Sequence, residues 1–170
     1  MTASQGQTSA RPLAWLYAAL IVYASLYPFG TWRNQEIMPW AFLWAPRTPY
    51  WSTFDVVSNL LGYAPLGFWL TLAALRTGQR RWAIRGSVLA GTALSLVLES
   101  LQTYLPARVP SSLDWFLNTV GVMVGAVLAG TLERWGWLDR WARFRALSLP
   151  ADARAALDSW NSKSSSSLST

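Results

Sequence analysis

Four apolar runs, at about residues 13–29, 53–75, 84–105 and 113–132, limit what this 170-residue chain can become. Each approaches the roughly 20 residues that a helix needs to cross a hydrocarbon core. In hydrocarbon every backbone N–H and C=O must be paired within the protein, so runs of this length are read as helices. Only 13% of the residues are charged, against roughly 25% in a soluble domain, which makes lipid the expected main solvent. The first run is the shortest. It reads as a span and not as a cleavable leader, because no clean A-x-A site follows and it ends in Tyr27-Pro28-Phe29. The expectation is an all-α polytopic membrane protein with four transmembrane helices.

The arginines orient it. Arg76, Arg80, Arg81 and Arg85 fill the link between the second and third runs, and Arg134, Arg140, Arg143 and Arg145 follow the fourth. If every run spans, both clusters lie on one side. The other side carries Arg33, Arg47 and Arg108. The positive-inside rule then puts the N- and C-termini in the cytoplasm. Twelve tryptophans are many for this length, and they crowd the flanks: Trp32, Trp40, Trp44 and Trp51 in the 30–52 loop, and Trp82, Trp135, Trp137 and Trp141 at the opposite ends. Amphipathic rings favour the headgroup region, so these read as interfacial belts. The 30–52 loop is expected on the outer surface, capping what lies beneath it. The +6 net charge follows from this topology, and no nucleic-acid partner is expected.

The organisation expected is a flexible N-terminal tail at 1–12, a four-helix transmembrane domain at 13–135, a cytoplasmic basic and amphipathic segment at 136–160 and a disordered tail at 161–170. Within the third part, Pro150 to Trp160 suits a short helix with proline in its first turn. The serine-rich tail cannot bury enough apolar surface to order itself.

The chain has no Cys and no His. That excludes thiolate chemistry, disulfides, imidazole bases and the usual zinc or haem ligands. Any acid–base work falls to carboxylates, Tyr or water. No cofactor is expected, and no metal site is assigned because no dedicated ligand spacing is present.

Against this background one motif occurs twice. Ser52-Thr53-Phe54-Asp55 to Gly62 and Ser111-Ser112-Leu113-Asp114 to Gly121 share S-[ST]-[FL]-D-x-x-x-N-x-x-G, and each copy opens an apolar run. Residues i, i+4 and i+7 of a helix fall within about 40° of one another. Asp55, Asn59 and Gly62 thus form one stripe, and Asp114, Asn118 and Gly121 another. Glycine on such a stripe lets two backbones approach closely. Ser52 with Asp55, and Ser111 with Asp114, also fit a capping box, which alone would account for both carboxylates. Capping does not account for Asn59 and Asn118, one turn deeper. Nor does it account for Glu99, which sits at the negative end of the third helix and needs a partner, a proton or a ligand. Arg108, in the link to the fourth helix, is the expected ion-pair partner. Gln102 shares the face of Glu99. One outer pocket is therefore expected to gather Asp55, Asn59, Glu99, Gln102, Arg108, Asp114 and Asn118. Three carboxylates against one arginine suit polyhydroxyl groups, amines, peptide amides or a hard divalent cation better than a free phosphate. Glu99, Asp114 and Arg108 are the candidates for any catalysis.

The ordered set Asp55-x3-Asn59-x5-Pro65-Leu66-Gly67, Glu99-x2-Gln102, Arg108 and Ser111/Ser112-x-Asp114-x3-Asn118-x2-Gly121-x3-Gly125 resembles the VanZ family of bacterial membrane proteins. Ser25-Leu26-Tyr27-Pro28-Phe29 adds to the likeness, which covers about residues 13–130. The resemblance implies a multi-pass protein of the bacterial inner membrane, with membrane lipids around it and the polar set above as its site. It makes residues 13–135 a VanZ-like domain. The family's founding member is associated with low-level resistance to teicoplanin, a drug with a lipid tail that binds the peptide end of cell-wall precursors. Three roles stay open at this point. One is a binding protein of the cell envelope with a lipid-linked or glycopeptide-like ligand, and with it a role in antibiotic resistance. The others are an enzyme on a lipid-linked substrate and a small transporter or structural partner. Four spans are few for a transporter unless it dimerises, and an oligomer stays open under each role.

Overall fold

A computed structural model describes residues 9–45 and 52–137, together with Arg140 and Ser159. Within 9–45 and 52–137 lie the α-helices α1 (Ala10–Leu26), α2 (Thr53–Arg76), α3 (Ala83–Gln102) and α4 (Ser112–Arg134), with a 3-10 turn at Ala41–Leu43. No strand occurs among the described residues. Three of the four helices, α2, α3 and α4, are long and apolar enough to cross a membrane. The first is shorter, at 17 residues, or about 25 Å at 1.5 Å per residue. It begins at Ala10, inside the expected flexible tail, and stops at Leu26, because a residue preceding proline is driven out of the helical region. Tyr27 is accordingly extended. The Pro150–Trp160 helix, apart from Ser159, and the 161–170 tail lie outside the described residues.

Local signals set the other helix ends. Ser52 accepts the Asp55 N–H at 3.1 Å while the Asp55 carboxylate accepts the Ser52 N–H at 3.1 Å, a reciprocal capping box that opens α2. The helix runs through Pro65 to Arg76. There Gly78, at φ +84°, closes it in a Schellman motif, with Gln79 N–H on the Ala74 carbonyl and Gly78 N–H on the Leu75 carbonyl.

Two compact units divide the chain at Thr131–Leu132, and the helical bundle belongs to the first. Within it, α1 packs on α2 and α3, and α2 on α3. A core of Ile21, Leu26, Tyr63, Leu66, Leu98, Leu105 and Val122 joins all four helices and the α3–α4 link. The α2–α4 contact is made backbone to backbone. A methyl group at Gly121 would overlap the Leu60 carbonyl, one at Gly125 the Ala64 carbonyl, and one at Gly67 the Val122 carbonyl. Leu60 with Gly121 and Ala64 with Gly125 advance together by four residues, so α2 and α4 run parallel. Val122, 0% exposed, also fills the hollow over Gly91 of α3. The matching glycine of the first repeat departs from expectation: nothing lies within 4 Å of a methyl built on Gly62.

The two copies of the motif therefore differ in their tolerance. Gly121→Ala is expected to destabilise the bundle by about 1–3 kcal/mol, the usual cost of overpacking. Gly62→Ala is expected to stay within about 0.5 kcal/mol of wild type. Thermal unfolding of the two variants in detergent measures the difference.

Candidate functional site

Where α2 and α4 begin and α1 and α3 end, the bundle holds a cavity of about 450 Å³. Each helix contributes through residues one turn apart. Asn59 and Tyr63 come from α2, Asp114 and Asn118 from α4, Glu99 and Gln102 from α3, and Ile21, Ala24 and Ser25 from α1; the α3–α4 link adds Ala107, Arg108 and Val109. Six of the seven residues expected in one pocket thus line one cavity. The seventh, Asp55, is absent from its wall. Its carboxylate is held by the backbone and hydroxyl of Ser52, at 3.1 and 2.8 Å, and caps its own helix.

The second repeat is wired differently. Ser111 Oγ accepts from Leu113 and Asp114 N–H, at 3.2 and 3.4 Å. The Ser111 N–H, which a capping box would give to Asp114, goes instead to Glu99 Oε2 at 2.9 Å. Glu99, 4% exposed, therefore caps α4 from the neighbouring helix. The expectation that capping could not account for Glu99 is corrected on this point: the cap is supplied across helices. Asp114 is released from capping and meets the side chain of Asn59. This contact joins the two repeats through their polar stripes.

Arg108 also departs from expectation. Its guanidinium donates from Nη2 to the Ala24 carbonyl at 2.9 Å, and from Nε and Nη2 to the Tyr27 carbonyl at 3.2 and 2.9 Å, so its hydrogen bonds go to the end of α1. Gln102 Nε2 donates to the Ser25 carbonyl at 3.1 Å. The Tyr27 N–H takes the Tyr23 carbonyl and the Phe29 N–H takes that of Leu26, both at 2.9 Å. Every carbonyl left over at the end of α1 is thereby paired, as the accounting of a helix end requires. Beyond it the chain is forced into the left-handed region at Phe29 (φ 61°) and Thr31 (φ 54°), conformations that cost about 1–3 kcal/mol each and persist where surrounding bonds hold them.

The 30–45 part of the α1–α2 loop is fastened to the same end of the bundle. The Arg33 N–H donates to the Tyr104 carbonyl at 3.0 Å, and Gln35 Nε2 to the Thr103 carbonyl at 2.6 Å. Among its described residues none lines the cavity, so this stretch does not supply the expected cap.

Two groups keep unused capacity on the cavity wall. Asp114 is one. The other is Asn118, only 3% exposed, whose Nδ2 donates to Ser95 Oγ at 3.0 Å while its Oδ1 has no partner. Sequence reasoning missed Tyr63 and Ser95 as parts of the site. Tyr63 is buried on the cavity wall with its hydroxyl against Ser95 and Ser25, and Ser95 joins it to Asn118. The signal for Ser95 was available: it lies four residues before Glu99, on the same face of α3.

The VanZ/LLP1 family model matches residues 3–133 of the chain. No curated protein and no solved structure matches it.

Replacing Glu99 separates its structural role from its charge. Glu99→Ala leaves the Ser111 N–H unpaired in a buried place, and a stability loss of about 1–3 kcal/mol is expected. Glu99→Gln keeps an acceptor for that N–H and should fold with less than half of that loss. Equal losses in thermal unfolding would show that charge, not capping, is what Glu99 supplies.

Proposed function

The chain belongs to the VanZ/LLP1 family, and from that membership and the chemistry of its cavity we propose a cell-envelope binding protein. In this reading α1 joins the three longer helices as a fourth span. Both termini face the cytoplasm, and the cavity opens at the outer face of the bacterial inner membrane. There it engages the hydroxyl and amide groups of a lipid-linked or glycopeptide-like molecule.

One observation carries the reading. Polar side chains from all four helices converge on a single cavity at one end of an apolar bundle, and two of them, Asp114 and Asn118, keep acceptor capacity there. Polar groups at membrane depth are costly and mark binding sites or pathways. The arginine distribution supports the outward orientation, since the arginine-rich α2–α3 link lies at the opposite end of the bundle from the cavity. The short α1 fits as well. Its end falls short of a full hydrocarbon thickness, and Gln102 and Arg108 supply the donors that water would supply to a longer helix.

The test compares the envelope lipids and cell-wall precursors of a deletion strain complemented with wild type, with Asp114→Asn or with a control change on the loop, Glu36→Gln. Complementation by wild type and Glu36→Gln, with at least a tenfold loss for Asp114→Asn at equal membrane levels, is expected. Full complementation by Asp114→Asn would sink the proposal.

A further inference from the structure

The cavity's hydrogen-bonding balance deepens that reading and rests on it. We infer that the cavity receives a primary ammonium group, held by Asp114 with Asn59 and Asn118.

The first step is a charge count. Glu99, Asp114 and Arg108 are the charged residues on the wall, so two carboxylates oppose one guanidinium. Helix dipoles do not correct the balance. Two N-termini, of α2 and α4, and two C-termini, of α1 and α3, meet at this end, and their partial charges of opposite sign offset one another. Glu99 is buried and bonded to the Ser111 N–H, and Arg108 is bonded to α1, so Asp114 is the carboxylate of the wall left open to a cation.

The second step is a donor count. Arg108 gives Nε and Nη2 to α1, and Gln102 gives Nε2 to α1. Glu99 already accepts from Ser111. What remains at the Asp114 side is acceptor in character: the Asp114 carboxylate, the Asn59 carbonyl oxygen once its amide faces Asp114, and Asn118 Oδ1. The last is independent of the carboxylates. It belongs to a side chain more than nine-tenths buried on the cavity wall, and it lacks any partner. A buried acceptor without a donor is an exception that calls for an explanation. An ammonium group carries three N–H donors and no acceptor. It would neutralise the Asp114 carboxylate and donate to the amide oxygens next to it. A polyol would meet the acceptors and leave the charge; an inorganic anion would do neither.

The source of the ammonium is either an aminolipid headgroup or a soluble amine, and the experiment separates them. The full chain in detergent is titrated calorimetrically with dihexanoylphosphatidylethanolamine, its N-trimethylated counterpart dihexanoylphosphatidylcholine, dihexanoylphosphatidylglycerol and free ethanolamine. The ethanolamine lipid, or ethanolamine itself if the source is soluble, is expected to bind at least tenfold tighter than the choline and glycerol lipids. Asp114→Asn and Asn118→Ala should each erase that preference, while Glu36→Gln keeps it. Equal binding of the ethanolamine and choline lipids overturns the inference. Preference for the glycerol lipid also overturns it but leaves a hydroxyl-binding cavity, and the proposed function, standing. No binding of any probe counts against both. The wild-type ranking decides the matter even where a variant fails to fold.

Discussion

The close approach of α2 and α4 is the constraint from which the polar end of the molecule follows. Lipid offers helices no hydrophobic drive to associate, so contact must come from packing and polar bonds between them. Here three glycines remove the side chains that would hold the two backbones apart: Gly67 on one helix, Gly121 and Gly125 on the other. The parallel register they impose sets Asn59 beside Asp114. Val122, wedged between Gly67 and Gly91, fixes α3 to the same pair. Its antiparallel course then delivers Ser95 to Asn118 and Glu99 to Ser111. Single interhelical hydrogen bonds of this kind contribute only about 0.6 kcal/mol. They cannot hold the bundle together, and their more important effect is to specify which groups face one another.

The polar residues then divide into those that complete the backbone and those left over. Asp55 completes the start of α2, Glu99 and Ser111 the start of α4, and Gln102 with Arg108 the end of α1. None of these needs a ligand to account for it. In water such ends would be finished by solvent. In a membrane protein the side chains must do it, which is why a compact cluster of charged and amide groups can be structural in large part.

The helical architecture was legible in the sequence because apolar run length is a direct consequence of membrane thickness. The runs beginning near residues 53, 84 and 113 match α2, α3 and α4 closely. The first run misled at both ends: Pro28 stopped the helix early, and α1 started before the run did. Five of the six expected residues on the cavity wall were legible from helical spacing, because Asp55 with Asn59, Asp114 with Asn118 and Glu99 with Gln102 share faces by geometry alone; Arg108 came from its place in the α3–α4 link. Their partners were not. An identical S-x-x-D pattern opens both α2 and α4, yet only the first closes into a capping box. The difference is that Glu99 reaches the Ser111 N–H from another helix, and nothing local to residues 111–114 encodes that. The hydrogen bonds of Arg108 were not legible for the same reason. Charge complementarity pointed to Glu99, while the unpaired carbonyls of α1, a backbone feature without a sequence signal, claimed the guanidinium.

This division also changes which residues carry functional weight. A seven-residue pocket implied that all seven act on a ligand. Four of them are engaged elsewhere, which under the proposed function leaves Asn59, Asp114 and Asn118 to meet a ligand, with Tyr63 and Ser95 behind them. Asn118 is the decisive member. An amide that donates to Ser95 and leaves its oxygen unmatched loses the free energy of one buried hydrogen bond, about 1–3 kcal/mol. A serine or alanine at that position would avoid the loss without disturbing the glycine contacts, since Gly121 and Gly125 lie on the next turns. Thr71 Oγ1 and Thr92 Oγ1 are also buried without a partner, but Asn118 Oδ1 belongs to a residue of the cavity wall that also holds the released carboxylate. Its natural account is a donor that arrives from outside the chain.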